Sequence, residues 1–475
     1  MDVYEALTRE IDEAPADPGI GAFFDLDRTL IAGFSAEAFA RDWISSGRAG
    51  LGELAEGLAA LIQFQLGNIG FSSFVAESTV MLRGIDETGY RQVAEKIFTR
   101  SLAANIYPES RALVEAHQRR GHQVCIVSSA TRYQIEPVAR ELGIEHIMCT
   151  ELVVDDQGRF TGEVVTPTCY GQGKADAAQG FCEQHDVSLE RSYFYSDSDE
   201  DLPLLLAVGN PRPTNPNSRL ESIAAKRAWP VRSFTSRGTP GVVDVVRTAL
   251  AIGSMVPSLV LGLPAALLDR DARSAINLAF TTWGELGTAL AGIHVQVEGE
   301  ENLWSNRPAV FVFNHQSAID TLLLCKLLRR DFVGISKEEV RAYPVLGQAF
   351  AMAGTIFIDR FNSKKAVEAL RPAVESLKEG MSIAIAPEGT RSLGPTVGPF
   401  KKGAFRIAMA AGAPVVPIVI HNALDALPKH AMVVRPTTIK ITVFPPIDTT
   451  AWDDSSLSER IAEIRDLYLE TLTRA

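Results

Sequence analysis

Cysteine is scarce in this 475-residue chain, and positive charge is not in excess. The five cysteines form no Cys-x-x-Cys pair and the N-terminus does not resemble a secretory signal, so we expect reduced thiols in a cytosolic compartment. The formal net charge is −12, whereas nucleic-acid-binding domains usually carry a basic surplus. We therefore expect no disulfide framework and no nucleic-acid partner.

Long apolar runs are also rare, with one exception. The chain is 46% hydrophobic and 22% charged, which excludes a mostly disordered chain, a fibrous repeat and a polytopic membrane protein. Of its 46 basic and 58 acidic residues, 24 of each lie from Gly241 onward, which leaves 22 basic and 34 acidic residues before it. Two units of different charge therefore meet near position 240, within the two to four domains expected at roughly 100–200 residues per domain.

In the N-terminal half, an apolar strand that begins at Ile20 ends in two carboxylates, Asp25 and Asp27. Alternation with period two directs both side chains the same way, at the carboxyl end of a strand, where ligands bind in open α/β sheets. One carboxylate can then act as a nucleophile while the other transfers protons. Taken alone, the Asp-x-Asp pattern would favour a solvated turn.

Three further segments are expected at the same edge. Ser128 follows the apolar strand His122–Val127, and Lys174 lies in a glycine-containing approach. Another strand ends in an acidic cluster that contains Asp197 and Asp201. Carboxylates together with a substrate phosphate are the ligands that Mg²⁺ prefers.

These four segments resemble the haloacid dehalogenase superfamily of phosphatases, in its phosphoserine phosphatase-like branch, over about Gly19 to Arg219. The resemblance implies a Rossmann-like parallel sheet with an inserted helical cap at about residues 33–106. No cap residue marks phosphoserine as the substrate. The implied site residues are Asp25 as nucleophile, Asp27 as general acid and base, Ser128 and Lys174 as phosphate ligands, Asp25, Asp197 and the carbonyl of Asp27 as Mg²⁺ ligands, and Asp201 as support for the metal site or Lys174.

The exceptional apolar segment, Thr248–Leu268, follows a predicted linker at 220–247. At ~1.5 Å per residue it is just long enough to cross a hydrocarbon core of ~30 Å. Pro257, Pro264 and two glycines predict interruptions, so we favour a broken hairpin over 248–293 that dips into one leaflet, with Trp283 as an interfacial anchor. The alternative is a pair of buried core helices.

In the C-terminal half, a strand at Ala309–Phe313 leads into His315 and Asp320, a spacing that allows the carboxylate to orient the imidazole as a general base. Arg360 and Arg391 follow two later strands, and arginine pairs suit recognition of a phosphomonoester. His-x-x-x-x-Asp alone is common by chance, so the prediction depends on these later segments.

This order of segments resembles the glycerolipid acyltransferases, close to the lysophosphatidate acyltransferases, over about Leu286 to Pro446, with Val340 where leucine is more usual. The resemblance implies an α/β domain from residue 294 onward. The implied site residues are His315 as general base, Asp320 as its orienting partner, Lys337, Arg360, Glu388, Gly389, Thr390 and Arg391 as ligands of the glycerol phosphate, and Pro417 in the segment of the acyl-donor site.

The combined prediction is a bifunctional enzyme at the cytoplasmic face of the cell membrane, peripheral or monotopic. It would acylate 1-acylglycerol 3-phosphate with acyl-CoA, and it would hydrolyse a phosphomonoester with Mg²⁺. Two alternatives remain: the phosphatase-like half is a regulatory module without turnover, or it acts on the lipid phosphate itself.

Overall fold

The computed structural model describes residues 4–46, 79–269, 271–358 and 371–473. The chain divides into two compact units, Met1–Thr239 and Pro240–Ala475. Both are mixed α/β with largely parallel sheets, which confirms the predicted fold class. Arg360 lies outside the described residues, as does the part of the predicted cap at residues 47–78.

The N-terminal unit is built on a five-stranded parallel sheet in the order β3-β2-β1-β6-β7. Its strands are β1 (Ile20–Phe24), β2 (Gln123–Thr131), β3 (His146–Thr150), β6 (Ser188–Ser196) and β7 (Asn210–Pro213), and β4 (Leu152–Val154) pairs with β5 (Phe160–Val164) in a separate hairpin. Every residue of β1 is buried, which explains its continuous apolar sequence. Because β1 lies between β2 and β6, the residues that follow these three strands meet at one edge.

Helices cover both the sheet and the cap region of this unit. They are α1 (Glu5–Asp12), α2 (Ser35–Ser45), α3 (Glu87–Ile97), α4 (Pro108–Arg119), α5 (Arg132–Glu141), α6 (Gln172–His185), α7 (Leu202–Ala207) and α8 (Ser218–Arg227). Tyr90 of α3 packs with Tyr133 and Phe160, and Phe39 and Trp43 of α2 pack against the same cluster. The β4–β5 hairpin thus contributes to the core of the cap region, although it lies well beyond residue 106, where the predicted cap ends.

The predicted linker at 220–247 is wrong in its first part. Leu220 and Ala224 of α8 are fully buried, and Leu220 belongs to the core of the sheet. The chain then returns to the sheet, where the Arg232 amide donates to the Pro213 carbonyl at 2.8 Å, and Phe234 is buried against Tyr107. Serine, glycine and proline here make turns of the folded unit, which extends to Thr239.

A buried chain of hydrogen bonds lies behind β1 and β6. The Pro15 carbonyl can only accept, so His122 Nε2, 2.9 Å away, carries the proton and its Nδ1 accepts from His117 Nδ1 at 2.8 Å. His117 Nε2 then accepts from the Tyr195 hydroxyl at 3.0 Å. Burial lowers the pKa of both histidines, that of His117 well below its usual value.

This arrangement predicts a pH-dependent stability. The unfolded chain binds a proton on His117 below about pH 6.5 while the native state does not, so His117 destabilises the native state as pH falls. We expect His117→Asn to be most destabilising at pH 8, with its cost in unfolding free energy about 2 kcal/mol smaller at pH 5. Urea unfolding of both proteins at the two pH values measures the difference, and a cost independent of pH would contradict the proton assignment.

The C-terminal unit contains a seven-stranded sheet in the order β11-β10-β12-β9-β13-β14-β8, parallel except for the antiparallel pair β13–β14. Its strands are β8 (Ile293–Glu298), β9 (Val310–Phe313), β10 (Phe332–Lys337), β11 (Ile356–Ile358), β12 (Ser382–Ile385), β13 (Val415–Ile420) and β14 (Thr437–Val443). Four adjacent parallel strands, β10, β12, β9 and β13, bring their carboxyl ends to one edge. The predicted site residues follow these strands.

The helices of this unit form cores on both faces of the sheet. They are α9 (Val242–Gly253), α10 (Met255–Asp269), α11 (Ala272–Ala291), α12 (Asn302–Ser305), α13 (Asp320–Leu328), α14 (Leu346–Met352), α15 (Arg371–Lys378), α16 (Gly403–Ala411), α17 (Ala423–Ala426) and α18 (Leu457–Thr473). Gly262 and Gly284 allow close packing of α11, because a Cβ atom there would lie 2.4 Å from Ala275 O and from Lys326 N, respectively.

The apolar segment differs from the prediction in two respects. The prolines and glycines barely interrupt it: the Ser254 and Ser258 amides donate to the carbonyls four residues earlier, which joins α9 to α10. Trp283 is not an interfacial anchor, because it is 5% exposed and its Nε1 donates to the Ala251 carbonyl at 3.1 Å. In the part of the chain that the structure describes, Val242–Pro264 is the one helix long and apolar enough to cross a membrane.

Candidate active sites

The first candidate site lies at the carboxyl end of β1. The Asp25 amide donates to the Tyr195 carbonyl of β6 at 2.9 Å, which holds Asp25 at the centre of the edge. Lys174 Nζ lies 3.0 Å from Asp25 Oδ1 and 2.8 Å from Asp201 Oδ2, and the Ser196 hydroxyl also donates to Asp201 at 2.6 Å. Burial opposes the charge of Lys174, but the two carboxylates outweigh it and hold the pKa of the amine above its usual value.

Asp197 follows β6 and faces the same centre. Burial, followed by the charge of Asp25, raises the pKa of Asp197 to about 8. Its nearest cation is Arg28, whose Nη1 lies 3.2 Å from Asp197 Oδ2. Two buried carboxylates therefore share a region where positive charge does not fully offset their own, which is the environment that a divalent cation stabilises.

Asp27 is held at the entrance to the cap. Its Oδ1 accepts from the Ser35 amide at 2.7 Å and its Oδ2 from the Ser35 hydroxyl at 3.2 Å, and Gln134 supports Ser35 with a 3.1 Å hydrogen bond. Burial raises the pKa of Asp27 to about 7, despite the lowering effect of these hydrogen bonds. A carboxyl group with a pKa near neutrality can both donate and accept a proton.

Ser128 lies on β2, beside β1. It is buried, and its hydroxyl accepts from the Ala130 amide at 3.3 Å. The strand continues to Thr131, four residues beyond the predicted end at Val127. The structure thus places Asp25, Ser128, Lys174, Asp197 and Asp201 on adjacent elements of one edge.

The second candidate site lies at the carboxyl end of β9. His315 Nδ1 is 2.8 Å from Asp320 Oδ2, and the same oxygen accepts from the amides of Gln316 and Ser317 at 2.9 and 3.0 Å. A carboxylate oxygen can only accept hydrogen bonds, so the contact with Asp320 places the proton of the neutral His315 ring on Nδ1 and leaves the Nε2 lone pair available. Asp320 is fully buried, whereas the His315 side chain is 24% exposed.

Glu388 does not have the place expected of a phosphate ligand. Its Oε1 accepts from the His315 amide at 2.8 Å and its Oε2 from the Gly398 amide at 2.9 Å. Burial raises the pKa of Glu388, and these two hydrogen bonds oppose that shift. Ser392 adds to the support, because its amide donates to the His315 carbonyl at 2.8 Å. Glu388 is therefore a positioning residue for the backbone of His315.

Cations surround the turn that follows Glu388. Gly389 has φ +74°, and a Cβ atom there would lie 2.8 Å from Lys401 Nζ, so glycine suits both the backbone and the neighbouring amine. Thr390 is exposed and Arg391 half-buried. Lys337 ends β10 and is exposed at the same edge.

Pro417 is buried within β13, opposite Val312 of β9. Proline has no amide proton, so it cannot donate across this pair of strands. The Tyr468 hydroxyl of α18 lies there instead, donating to Val312 O at 2.5 Å and accepting from the Ile418 amide at 3.1 Å. This contact joins α18 to the centre of the sheet.

Each of the two units matches a different family of known proteins. Residues 22–206 match the family model of haloacid dehalogenase-like hydrolases, and residues 294–421 match the acyltransferase model. A probable phosphatase of Mycobacterium tuberculosis is 35% identical over 217 residues, which cover 45% of this chain and 75% of the relative. A 1-acyl-sn-glycerol-3-phosphate acyltransferase of Limnanthes alba is 34% identical over 190 residues, which cover 40% of this chain and 67% of the relative.

The chain belongs to both families. Among solved structures, the 1-acyl-sn-glycerophosphate acyltransferase of Thermotoga maritima is similar, with 27% identity, a TM-score of 0.44, and coverage of 49% of this chain and 96% of that one. The two family matches and these relatives of 34–35% identity show an enzyme with a haloacid dehalogenase-like hydrolase unit and an acyltransferase unit.

Sequence reasoning missed several residues of these units. In the hydrolase unit, Arg28 contacts Asp197, the expected metal ligand, and Ser35 contacts Asp27, the expected general acid and base. In the acyltransferase unit, Lys401 and Tyr468 approach the site from later segments. Only Lys401 left a signal, as one of two adjacent lysines soon after Arg391, whereas the other contacts depend on the folded backbone.

Proposed function

We propose that the acyltransferase unit transfers an acyl group from acyl-CoA to 1-acyl-sn-glycerol 3-phosphate and forms phosphatidate. The observation that supports this proposal best is the His315–Asp320 pair, whose imidazole presents Nε2 at an edge rimmed by Lys337, Arg391 and Lys401. A base beside cations suits an acceptor that carries a hydroxyl and a phosphate.

In this mechanism His315 Nε2 removes the proton of the free glycerol hydroxyl as its oxygen attacks the thioester carbonyl. The new C–O bond forms, the C–S bond breaks, and the thiolate of CoA takes the proton from the imidazolium. Asp320 keeps the ring in the reactive tautomer and stabilises its positive charge. Glu388 holds the His315 backbone in place. Because His315 acts directly on the attacking hydroxyl, no acyl-enzyme intermediate is required.

In the hydrolase unit, Asp25 would attack a phosphomonoester and form an aspartyl-phosphate. Asp27 would first protonate the leaving alcohol and then remove a proton from the water that hydrolyses the intermediate, a double role consistent with its pKa of about 7. Lys174 would neutralise the phosphoryl group, and Ser128 would bind it. Because Asp25, Lys174 and Asp201 are assembled, the geometry favours turnover over a purely regulatory module.

The donor set of this unit fits Mg²⁺. Among the described residues no group of three metal-ligating side chains is found, but Mg²⁺ commonly takes only one or two carboxylates together with substrate phosphate and water. Asp25 and Asp197 with the carbonyl of Asp27 would hold the ion, and Asp197 is buried next to the charge of Asp25, an environment that a divalent cation stabilises. When bound, the ion would offset the charge of the phosphoryl group.

The test uses the full chain with two assays. Acyl transfer is measured with oleoyl-CoA and lysophosphatidate, and phosphate release is measured with Mg²⁺ on phosphoserine, glycerol 3-phosphate, lysophosphatidate and phosphatidate. Transfer that forms phosphatidate, together with release from at least one ester, is the expected result. Phosphate release from none of the four would favour the regulatory alternative, and a preference for phosphatidate would favour action on the lipid phosphate.

We also propose that α9 and α10 bind the membrane. Their buried stripe consists of small or polar residues, with Met255 as the exception: Thr248, Ala251, Ser254, Met255, Ser258 and Gly262. Their exposed face is apolar, with Val256, Val260 and Leu263 each 50–59% exposed. This pattern is the reverse of that in a helix on a water-soluble protein, and it suits an apolar solvent.

The membrane proposal predicts weaker vesicle binding when this face is made polar. Replacement by serine should remove about 1 kcal/mol of favourable transfer free energy at each of Val256, Val260 and Leu263. The triple variant should therefore bind vesicles about 100-fold more weakly. Vesicle flotation of the full chain with phosphatidylglycerol and phosphatidylethanolamine measures the bound fraction. The matched control replaces Val165, Leu206 and Val231, similarly exposed residues of the hydrolase unit, and equal losses in both variants would contradict the assignment.

A further inference from the structure

The acyltransferase unit carries Lys337, Arg391, Lys401 and Lys429 on the segments that surround the His315 loop, and none of these four pairs with a carboxylate in the part of the chain that the structure describes. Elsewhere in the unit Lys326 pairs with Glu285, and Arg435 pairs with Asp244. Like charges that gather without carboxylates repel one another, so such a cluster is stabilised by an anionic ligand.

Lys429, like Lys401, belongs to no predicted site motif, and its segment is held against the His315 loop. The Ser317 hydroxyl, between His315 and Asp320, donates to the Leu427 carbonyl at 2.6 Å. Lys429, two residues beyond Leu427, lies within a turn in which the Ala431 amide donates to the Pro428 carbonyl at 3.0 Å. These contacts hold the backbone of the segment that carries Lys429 beside the catalytic loop.

A second connection runs through Gln316. Its Nε2 lies 3.3 Å from the Pro395 carbonyl, on the loop that follows Arg391, and 3.3 Å from the His421 carbonyl, at the start of the segment that leads to Lys429. The Ala423 amide donates to Gln316 Oε1 at 3.1 Å. One side chain thus joins the Arg391 loop and the Lys429 segment to the catalytic loop.

The electrostatics agree with this placement. Burial lowers the pKa of Lys429, and the positive charges of Arg391 and Lys337 lower it further. Among the described residues, no carboxylate opposes this lowering. A phosphomonoester dianion placed among these cations would restore the charge balance.

We propose that Lys429 binds the phosphate of the acceptor lipid, together with Arg391 and Lys337, and so favours acceptors that carry a phosphomonoester. This inference rests on the proposed acyltransferase function. Two other phosphate-bearing ligands have the same chemistry, the acyl-CoA donor and the membrane surface, and the experiment separates them.

The test compares Lys429→Gln with the wild type in the full chain, using lysophosphatidate and oleoyl-CoA as the varied substrates. We expect KM for lysophosphatidate to rise about tenfold, with kcat and KM for oleoyl-CoA unchanged and with recovery in Lys429→Arg. Lys402→Gln is the matched control, because Lys402 Nζ is bonded to Ser458 instead. Thermal unfolding of each variant confirms that it is folded.

Three results would overturn the inference. An unchanged KM for lysophosphatidate shows that Lys429 does not bind the acceptor. A rise confined to KM for oleoyl-CoA assigns Lys429 to the donor, and loss of vesicle binding with unchanged KM values assigns it to the membrane surface. Failure of the proposed function is a separate result, since the wild type would then transfer no acyl group to lysophosphatidate.

Discussion

His315→Ala is expected to lower acyl transfer to lysophosphatidate by roughly 10³-fold while leaving phosphate release unchanged. The substitution removes the only group that the proposed mechanism uses to take the hydroxyl proton. The loop should remain in place, because Asp320 still accepts from the Gln316 and Ser317 amides and Glu388 still binds the amide of residue 315. The reduction should therefore appear in kcat rather than in KM.

A matched control for this variant is His294→Ala, which removes an exposed imidazole from β8. Asp320→Asn is a second test of the same idea, because an amide at this position cannot hold the reactive tautomer as a carboxylate does. We expect Asp320→Asn to lose activity and also stability, since three hydrogen bonds converge on one buried oxygen. Normal acyl transfer by folded His315→Ala would refute the role of His315.

Asp25→Asn is expected to abolish phosphate release from every phosphomonoester, with acyl transfer unchanged. An amide cannot form the aspartyl-phosphate, so general acid catalysis by Asp27 has no nucleophilic step to assist. In the absence of metal, two effects on stability oppose each other: the variant loses the ion pair of Asp25 with Lys174, which keeps its contact with Asp201, and it also loses one of the buried negative charges. The charge of Asp25 contributes to the raised pKa of Asp197, and removing it relieves that repulsion.

Phosphate release from p-nitrophenyl phosphate with Mg²⁺ measures this prediction, and chemical unfolding of the metal-free protein measures stability. Asp176→Asn is the matched control, because Asp176 is an exposed carboxylate two residues after Lys174. Phosphate release by Asp25→Asn at the wild-type rate would exclude an aspartyl-phosphate on Asp25. Loss of acyl transfer in the same variant would contradict the independence of the two activities.

The predicted membrane segment shows which structural features a local sequence pattern determines and which it does not. Its length and apolar character predicted helices correctly, because hydrogen bonds within a helix depend on neighbours along the chain. The same local patterns predicted that the prolines would interrupt the helix and that Trp283 would lie at the membrane interface. Both were wrong, since α11 packs between α10 and the sheet, and this packing buries Trp283.

Glu388 illustrates a second limit. It lies among residues that the family resemblance assigns to the glycerol phosphate, and nothing in the local pattern separates it from Arg391. In the fold, both of its oxygens accept backbone amides, one of them from His315. The partner of a carboxylate is a long-range contact, so it could not be derived from spacing.

The order of residues along the chain was sufficient to locate the two α/β units, the strands and most of the site residues. Strand ends are local features, and parallel strands bring their ends together, so Asp25 with Lys174 and His315 with Asp320 could be predicted. The tertiary structure alone decided which side chains support them, such as Ser35 beneath Asp27, Tyr468 opposite Pro417, and the segment that carries Lys429. These contacts join residues far apart in the sequence, and hydrogen bonding and burial select them only after the chain has folded.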